Sequence, residues 1–108
     1  MSALYIMRYD GVAGAGHGAV FIGKGKILGV DITGARYEGT YALHGPNLGG
    51  AATLTSAGGS LVTGQATPAG TKVQIVFNLP ANASSGTFEL KFGGVPMRVA
   101  LEKIGDVP

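Results

Sequence analysis

Apolar and polar residues alternate with a period of two in several short segments of this chain. The alternation is clearest over residues 73–79 and over residues 88–92. Successive side chains of a β-strand point to opposite faces of its sheet, so this pattern is typical of half-buried antiparallel strands. No segment of helical length places apolar residues at the 3.6-residue period of a helix. The pattern therefore predicts an all-β protein.

Glycine-rich breaks divide the chain into eight or nine predicted strands. The predicted strands are 3–9, 17–23, 26–33, 36–44, 50–56, 60–64, 71–79, 86–92 and 95–104. The breaks between them fall at 23–25, 34, 44–47, 58–59, 68–70, 83–86 and 93–94. Links this short join strands that are neighbours in space, so we expect an up-and-down meander.

A sheet of eight or nine strands exposes two edges unless it closes into a barrel or splits into two packed layers. A Greek-key sandwich needs at least one long crossover connection, and the short links here favour a barrel. A length of 108 residues is that of one domain. We therefore predict a single β-barrel domain over residues 1–108, an up-and-down antiparallel barrel of about eight strands.

The interior of a barrel of this size is either filled by its own side chains or holds one small ligand. The alternation predicts the inward-facing residues Val73, Ile75, Phe77, Leu79, Phe88, Leu90, Phe92, Met97, Val99 and Leu101, with Tyr37 and Tyr41. The candidate binding residues among them are Tyr37, Tyr41, Phe77, Phe88, Phe92 and Met97. Glycines inside strands, such as Gly29 and Gly39, would permit the sharp coiling of a small barrel.

The chain contains 20 glycines, yet 45% of its residues are hydrophobic and only 13% are charged. This is the composition of a folded domain, because a disordered chain is poorer in apolar residues and richer in charge. The irregular glycine spacing also excludes a collagen repeat. No cysteine is present, which excludes disulfides and thiolate chemistry.

The net charge of +2 comes from eight basic residues that are scattered along the chain. Nucleic-acid binding normally requires a concentrated basic surface, so we expect no direct contact with DNA or RNA. No run of about 18 apolar residues is present to span a membrane as a helix. The short apolar stretch at the N-terminus lacks the basic start of a signal peptide. We expect a cytoplasmic protein without a membrane partner.

Residues 18–24 match the opening of a phosphate-binding P-loop, with Gly18, Gly23 and Lys24 at its conserved spacing. The match ends at Gly25, which stands where a P-loop has the serine or threonine that binds Mg²⁺. The intervening Ala-Val-Phe-Ile is also a strand-forming run, whereas a phosphate cradle needs a loop with free N–H groups. We interpret the segment as a strand that ends in a Gly-Lys-Gly hairpin.

Candidate catalytic and metal-binding residues are few. His17 and His44 lie in unrelated segments, and a metal site would need the fold to bring Asp31 or Glu38 beside them. None of the five serines stands in the Gly-x-Ser-x-Gly sequence of a nucleophile elbow. We therefore expect no enzyme, no cofactor and no bound metal.

Residues 25–41, GKILGVDITGARYEGTY, follow an N-terminal strand, a predicted turn at 9–11 and an apolar strand at 18–22. In this arrangement the chain resembles the family of negative regulators of bacterial type III secretion. That family has a Gly-x-Gly strand, then Gly-x-Asp, and Tyr-x-Gly at a fixed distance. The resemblance covers roughly residues 4–43, and its matching positions are Gly16, Gly18, Gly29, Asp31, Tyr37 and Gly39.

The resemblance implies a lipocalin-like (calycin-like) barrel of eight strands that forms a homodimer and has no catalytic activity. It also implies a protein partner, a transcriptional activator, which the family holds through an acidic loop just after the Tyr-x-Gly strand. The corresponding segment here, residues 43–50, contains no acid. Either the partner differs, the contact has moved to another surface, or this activity is absent.

The residues of this motif also suggest physical roles of their own. Asp31 interrupts an apolar strand, and we expect it to accept hydrogen bonds from a turn backbone or from Arg36. Tyr37 and Tyr41 flank Gly39 on one strand face, where glycine leaves space for aromatic rings.

Two functional classes are consistent with these features. A regulator that works through its surface predicts an exposed apolar patch or a dimer interface on a filled barrel. The alternative, a carrier of a small apolar molecule, predicts an interior cavity of about 300 Å³ or more. The volume of the barrel interior distinguishes them.

Overall fold

Eight antiparallel strands form a closed barrel in which each strand pairs with the next and the last pairs with the first. The computed structural model describes residues 2–11, 14–58, 68–80, 85–92 and 94–108. The strands are β1 (Ser2–Gly11), β2 (Gly14–Gly23), β3 (Lys26–Asp31), β4 (Arg36–His44), β5 (Asn47–Thr55), β6 (Lys72–Pro80), β7 (Ser85–Phe92) and β8 (Val95–Asp106). This confirms the predicted fold class, an all-β up-and-down barrel, and it is consistent with a lipocalin-like fold.

The strand boundaries differ from the sequence predictions at several places, and β2 begins at Gly14, three residues earlier than predicted. The predicted turn at 9–11 is wrong, because β1 continues to Gly11 and its ladder with β2 begins at Gly14. The β4–β5 connection is a tight turn around Gly45, whose φ is 63°, so β5 begins three residues earlier than predicted. β3 ends at Asp31, not at residue 33, because the chain turns there. The strand predicted at 60–64 lies outside the described residues.

The P-loop-like segment is a strand and a hairpin. Residues 18–23 belong to β2, and the turn that follows has positive φ at both Lys24 (54°) and Gly25 (76°). Two consecutive residues of this kind form the type I′ turn that matches the twist of a two-residue hairpin. The hairpin interpretation is confirmed.

The core fills the inside of the barrel and includes nearly the whole predicted inward set. Buried members are Tyr37, Val73, Ile75, Phe77, Phe92, Met97 and Val99, and Tyr41, Phe88, Leu90 and Leu101 pack against them half-buried. The side chain of Leu79 lies outside the description. The prediction missed the contribution of the first three strands, namely Ala3, Tyr5, Met7, Tyr9, Val20, Ile22 and Ile27.

Gly39 and Gly29 are required by close approach of neighbouring strands. A Cβ added at Gly39 would overlap the backbone of Ala51 and Ala52 on β5, and one at Gly29 would lie 2.8 Å from the carbonyl oxygen of Ala19 on β2. The space at Gly39 is therefore filled by the adjacent strand, not by the tyrosine rings we expected. A ring does lie against glycine at Gly16, where the added Cβ would be 2.6 Å from the Tyr9 ring.

Candidate functional site

Among the described residues, the side chain that accepts the most hydrogen bonds is the buried carboxylate of Asp31 at the end of β3. Its Oδ2 accepts hydrogen bonds from the hydroxyls of Tyr9 (2.8 Å) and Tyr37. Its Oδ1 accepts from the Thr33 backbone N–H (2.9 Å) and hydroxyl and from the Ala35 N–H (3.2 Å). We call Asp31, Tyr9, Tyr37 and Thr33 the Asp31 clasp.

The clasp keeps Asp31 ionised and both tyrosines neutral. Burial by itself would raise the pKa of Asp31, but the hydrogen bonds from Thr33, Tyr37 and Tyr9 outweigh it and hold that pKa below its usual value. Burial, together with the hydrogen bond to Asp31, raises the pKa of Tyr9 to about 12. The same two causes raise the pKa of Tyr37 far above that of a free tyrosine.

The clasp explains why β3 stops at Asp31. The carboxylate holds the backbone of the following turn, and the Gly34 N–H donates to the Asp31 carbonyl oxygen at 3.0 Å. The expected hydrogen bonds from a turn backbone are confirmed. Arg36 is exposed on the outer face, and the side-chain donors are instead the hydroxyls of Thr33, Tyr9 and Tyr37. A carboxylate that already accepts five hydrogen bonds has no free lone pair for a ligand, so the clasp is structural.

Of the family-motif positions, the structure brings Asp31 and Tyr37 into direct contact, and it places Gly29 opposite Tyr37 on adjacent strands. Tyr9 and Thr33 are the members that sequence reasoning missed. A signal for Tyr9 existed: the β1–β2 ladder pairs Tyr9 with Gly16, and the Lys24 hairpin pairs Gly18 with Asp31. The wrong turn prediction at 9–11 removed that register.

The barrel interior contains a small apolar cavity of about 60 Å³. Its lining residues are Met7, Val20, Ile22, Ile27, Tyr37, Ala52, Ile75, Phe77, Phe88, Leu90, Phe92, Val99 and Leu101. Four of the candidate binding residues therefore line it (Tyr37, Phe77, Phe88 and Phe92), while Met97 is buried beside it and Tyr41 is half-buried at the margin of the core. The volume is about one fifth of the roughly 300 Å³ that a site for a small molecule needs.

The middle of the outer surface of β1, β2 and β3 is apolar, and six residues there form two cross-strand rows. We call this surface the apolar face, and it consists of Leu4, Phe21 and Leu28 in one row and Ile6, Ala19 and Val30 in the other. Leu28 is 46% exposed and Val30 is 50% exposed, although neither contributes to the core. Ile32 and Ile104, both exposed, lie beside it. Soluble domains seldom present contiguous apolar surface of this kind without a use for it.

Polar residues surround the apolar face. On β4, Glu38 lies opposite Leu28, and Arg36 lies opposite Val30. On the other side Glu102 lies opposite Ile6 and forms an exposed ion pair with Arg8 at 3.3 Å. An apolar centre with a polar rim is the usual anatomy of a protein–protein interface.

An open groove of about 450 Å³ borders the same surface beyond Arg8. Its charged side chains are Arg8, Asp10 and Arg98, and His17 is exposed beside them. The mixture of signs gives it no strong preference for an anion or a cation. It therefore extends the polar rim of the apolar face.

His17 and His44 are both exposed, on β2 and at the end of β4. Within the described part of the chain, no three His, Asp or Glu side chains converge as metal ligands would. Glu38 lies on the outer surface and Asp31 is fully engaged in the clasp. The described residues include no helix long and apolar enough to cross a membrane.

Compared with protein-family models and with curated proteins, the chain matches none of them. The candidate functional surface is therefore defined by the geometry alone, and it is the apolar face.

Proposed function

We propose that this chain is a non-enzymatic regulatory protein that acts by protein–protein interaction and forms a homodimer through the apolar face. The observation that supports this is the exposed apolar face, on a barrel in which the cavity lined by the described inward residues has a volume of only about 60 Å³. Burial of apolar surface is the main favourable term in protein association. An apolar surface that stays exposed promotes aggregation, and a partner that covers it prevents this.

The charges along β4 favour a second copy of the chain as the partner. Arg36 and Glu38 occupy successive outward positions at the border of the apolar face. In a two-fold arrangement the Arg36 of one copy can face the Glu38 of the other, and the reverse contact forms at the same time. The ion pairs within the described residues are Arg8 with Glu102 and Lys103 with Asp106, so neither β4 charge is already paired.

For the regulated partner we propose a cytoplasmic transcriptional regulator, on the basis of the resemblance to the negative regulators of type III secretion. The segment that corresponds to their acidic loop is the tight β4–β5 turn, flanked by His44 and Asn47. Since it offers no negative charge, an activator would bind at another surface.

The dimer is tested by light scattering at protein concentrations of tens of micromolar. We expect the wild-type chain to have twice its monomer mass of 10.8 kDa, and Leu28→Lys to be monomeric because it places a charge in the centre of the interface. Gln74→Lys, an equally exposed lysine on β6, is the matched control and should stay dimeric. A monomeric wild type, or equal behaviour of the two variants, would exclude this interface.

The regulatory role has a separate test, affinity capture from a lysate of the host followed by mass spectrometry. We expect a DNA-binding transcriptional regulator to be enriched relative to a tag-only control. Recovery of no such protein would reject the regulatory proposal and would leave the dimer standing.

A further inference from the structure

The barrel closes incompletely between β6 and β7. Over the described residues these strands pair only at Ile75 with Phe92 and at Val76 with Lys91. By contrast, the β5–β6 ladder extends over all nine residues of β6, and the β7–β8 ladder extends over all eight residues of β7. We call the two unpaired lengths, residues 77–80 of β6 and 85–90 of β7, the seam.

Along each side of the seam, the backbone N–H and C=O groups that point away from β5 or β8 have no ladder partner within the described chain. Such groups bind a further strand readily, because main-chain hydrogen bonds form at the same spacing as in the sheet. An apolar small molecule could not satisfy them, since it offers neither donors nor acceptors. The backbone chemistry of the seam therefore selects an extended peptide.

The side chains at the seam define what such a peptide would contain. Phe77, Phe88 and Leu90 face inward and line the apolar cavity, whose volume of about 60 Å³ limits the inward side chains of a peptide to small aliphatic ones. Between the latter two, Glu89 points outward and is exposed. Its cross-strand neighbour on β8 is Arg98, but Glu89 forms no ion pair with any described residue.

We infer that the seam is a binding site for an extended peptide segment of a partner protein, which adds as a strand between β6 and β7. Its inward positions are small and aliphatic, and the outward position opposite Glu89 is lysine or arginine, because opposite charges on adjacent strands attract. The apolar face lies on β1–β3, so this site is separate from the proposed dimer interface and does not depend on it.

The test uses the full chain, ¹⁵N-labelled, and the blocked peptide acetyl-Thr-Val-Lys-Val-Thr-amide. In the free protein we expect fast hydrogen exchange at those amides of residues 77–79 and 86–90 whose N–H groups point into the seam, away from β5 and β8. Their exchange should be at least about tenfold slower when the peptide is saturating. The same peptide with both valine nitrogens methylated should not bind, because it has lost backbone donors. Slow exchange at these amides in the free protein would show that the seam is already paired and would overturn the inference.

Charge selection is tested with a second peptide, in which glutamate replaces the lysine. Wild-type protein should bind the lysine peptide about three- to fivefold more tightly, and Glu89→Lys should reverse that order. Leu28→Lys on the apolar face is the control and should bind the lysine peptide as wild type does. Equal affinities for the two peptides in every variant would contradict the assigned register.

Closure of the seam is tested with the double variant Asn78→Cys and Glu89→Cys. These positions form the next outward pair if the ladder continues past Val76 and Lys91, and the natural chain has no cysteine to interfere. With the neutral peptide acetyl-Thr-Val-Thr-Val-Thr-amide, we expect the oxidised form to bind at least about tenfold more weakly than the reduced form of the same molecule. Equal binding by both forms, or peptide-induced shifts confined to β1–β3, would place the site elsewhere.

Discussion

Two rows of outward residues run across β1–β3 and continue in register across β4–β6, and both change from apolar to polar at β4. The row Leu4, Phe21 and Leu28 continues around the barrel as Glu38, Thr53 and Gln74. The row Ile6, Ala19 and Val30 continues as Arg36, Thr55 and Lys72. We call these six residues of β4–β6 the polar face. Within it, the Thr53 hydroxyl donates a hydrogen bond to the Gln74 side-chain oxygen at 3.5 Å.

This comparison separates what the fold requires from what a partner requires. Threonine, valine and isoleucine all suit a strand, so the polar face shows that apolar side chains are not needed outside this barrel. Both faces cover well-formed ladders above the same core. The apolar residues of β1–β3 therefore exceed the needs of folding, which supports the proposal that this face takes part in association.

The largest expected effect is a difference in stability between two variants that each neutralise one carboxylate, Asp31 in the clasp or Glu38 on the polar face. Asp31→Asn should lower the free energy of unfolding by about 2–4 kcal/mol, because several charge-assisted hydrogen bonds are lost or weakened in a buried position. Glu38→Gln, the matched control, should change it by less than about 0.5 kcal/mol, since this exposed carboxylate has no ion-pair partner among the described residues.

Urea unfolding at one fixed protein concentration measures both variants. Equal stabilities of the two variants would mean that the clasp does not hold the β3–β4 turn.

The second prediction transfers the chemistry of the apolar face to the polar face. Thr53→Leu with Thr55→Val should create a second apolar patch and add assembly beyond the dimer, with an association gain of about 1–2 kcal/mol. Sedimentation velocity over a concentration series measures it. If this variant stays a dimer at every concentration, apolar character alone does not make a face associate. The difference between the apolar face and the polar face would then not explain the dimer.

The third prediction is the pH dependence of the clasp. The pKa of Asp31 is depressed, so its stabilisation is present above the unfolded value of about 3.9 and is lost as the pH falls through the lower, folded value. The pKa of Tyr9 is raised to about 12, so its contribution is full below about pH 10 and is lost as the pH rises towards 12.

In acid, wild-type protein should therefore lose its stability advantage over Asp31→Asn. Between pH 10 and 12, Tyr9→Phe should lose stability less steeply than wild type, by up to about 1.4 kcal/mol per pH unit. Unfolding midpoints across both ranges measure this, and parallel curves would show that these groups titrate alike in the folded and unfolded chain.

The smallest expected effect comes from the rim charges. Arg36→Glu or Glu38→Arg alone should weaken the dimer by about 0.5–1 kcal/mol, because each places like charges across the two-fold contact. The double variant should recover most of the loss, since the exchanged pair restores opposite signs. A dilution series followed by light scattering measures it, and additive losses in the double variant would show that the two residues do not meet across the interface.

Prediction from sequence worked best where polar and apolar residues alternate strictly. In β6, β7 and β8 the outward residues are mostly polar or charged, and the inward set from Val73 to Leu101 was recognisable. In β1 the outward Leu4 and Ile6 are as apolar as the inward Tyr5 and Met7, so the period of two is obscured and those core residues were missed. The outward apolar residues that form the proposed interface thus obscured the alternation from which the core residues of β1 would have been predicted.

The sequence by itself determined the all-β class, the short links and therefore the closed barrel, because alternation and turn residues act locally. It also determined that Asp31 would hold a turn. Only the tertiary structure decided that Tyr9, 22 residues away, donates to that carboxylate, since the contact depends on the register of two successive hairpins. It alone joined six residues from three strands into the apolar face and left β6 and β7 partly unpaired, because both features depend on how distant strands align around the barrel.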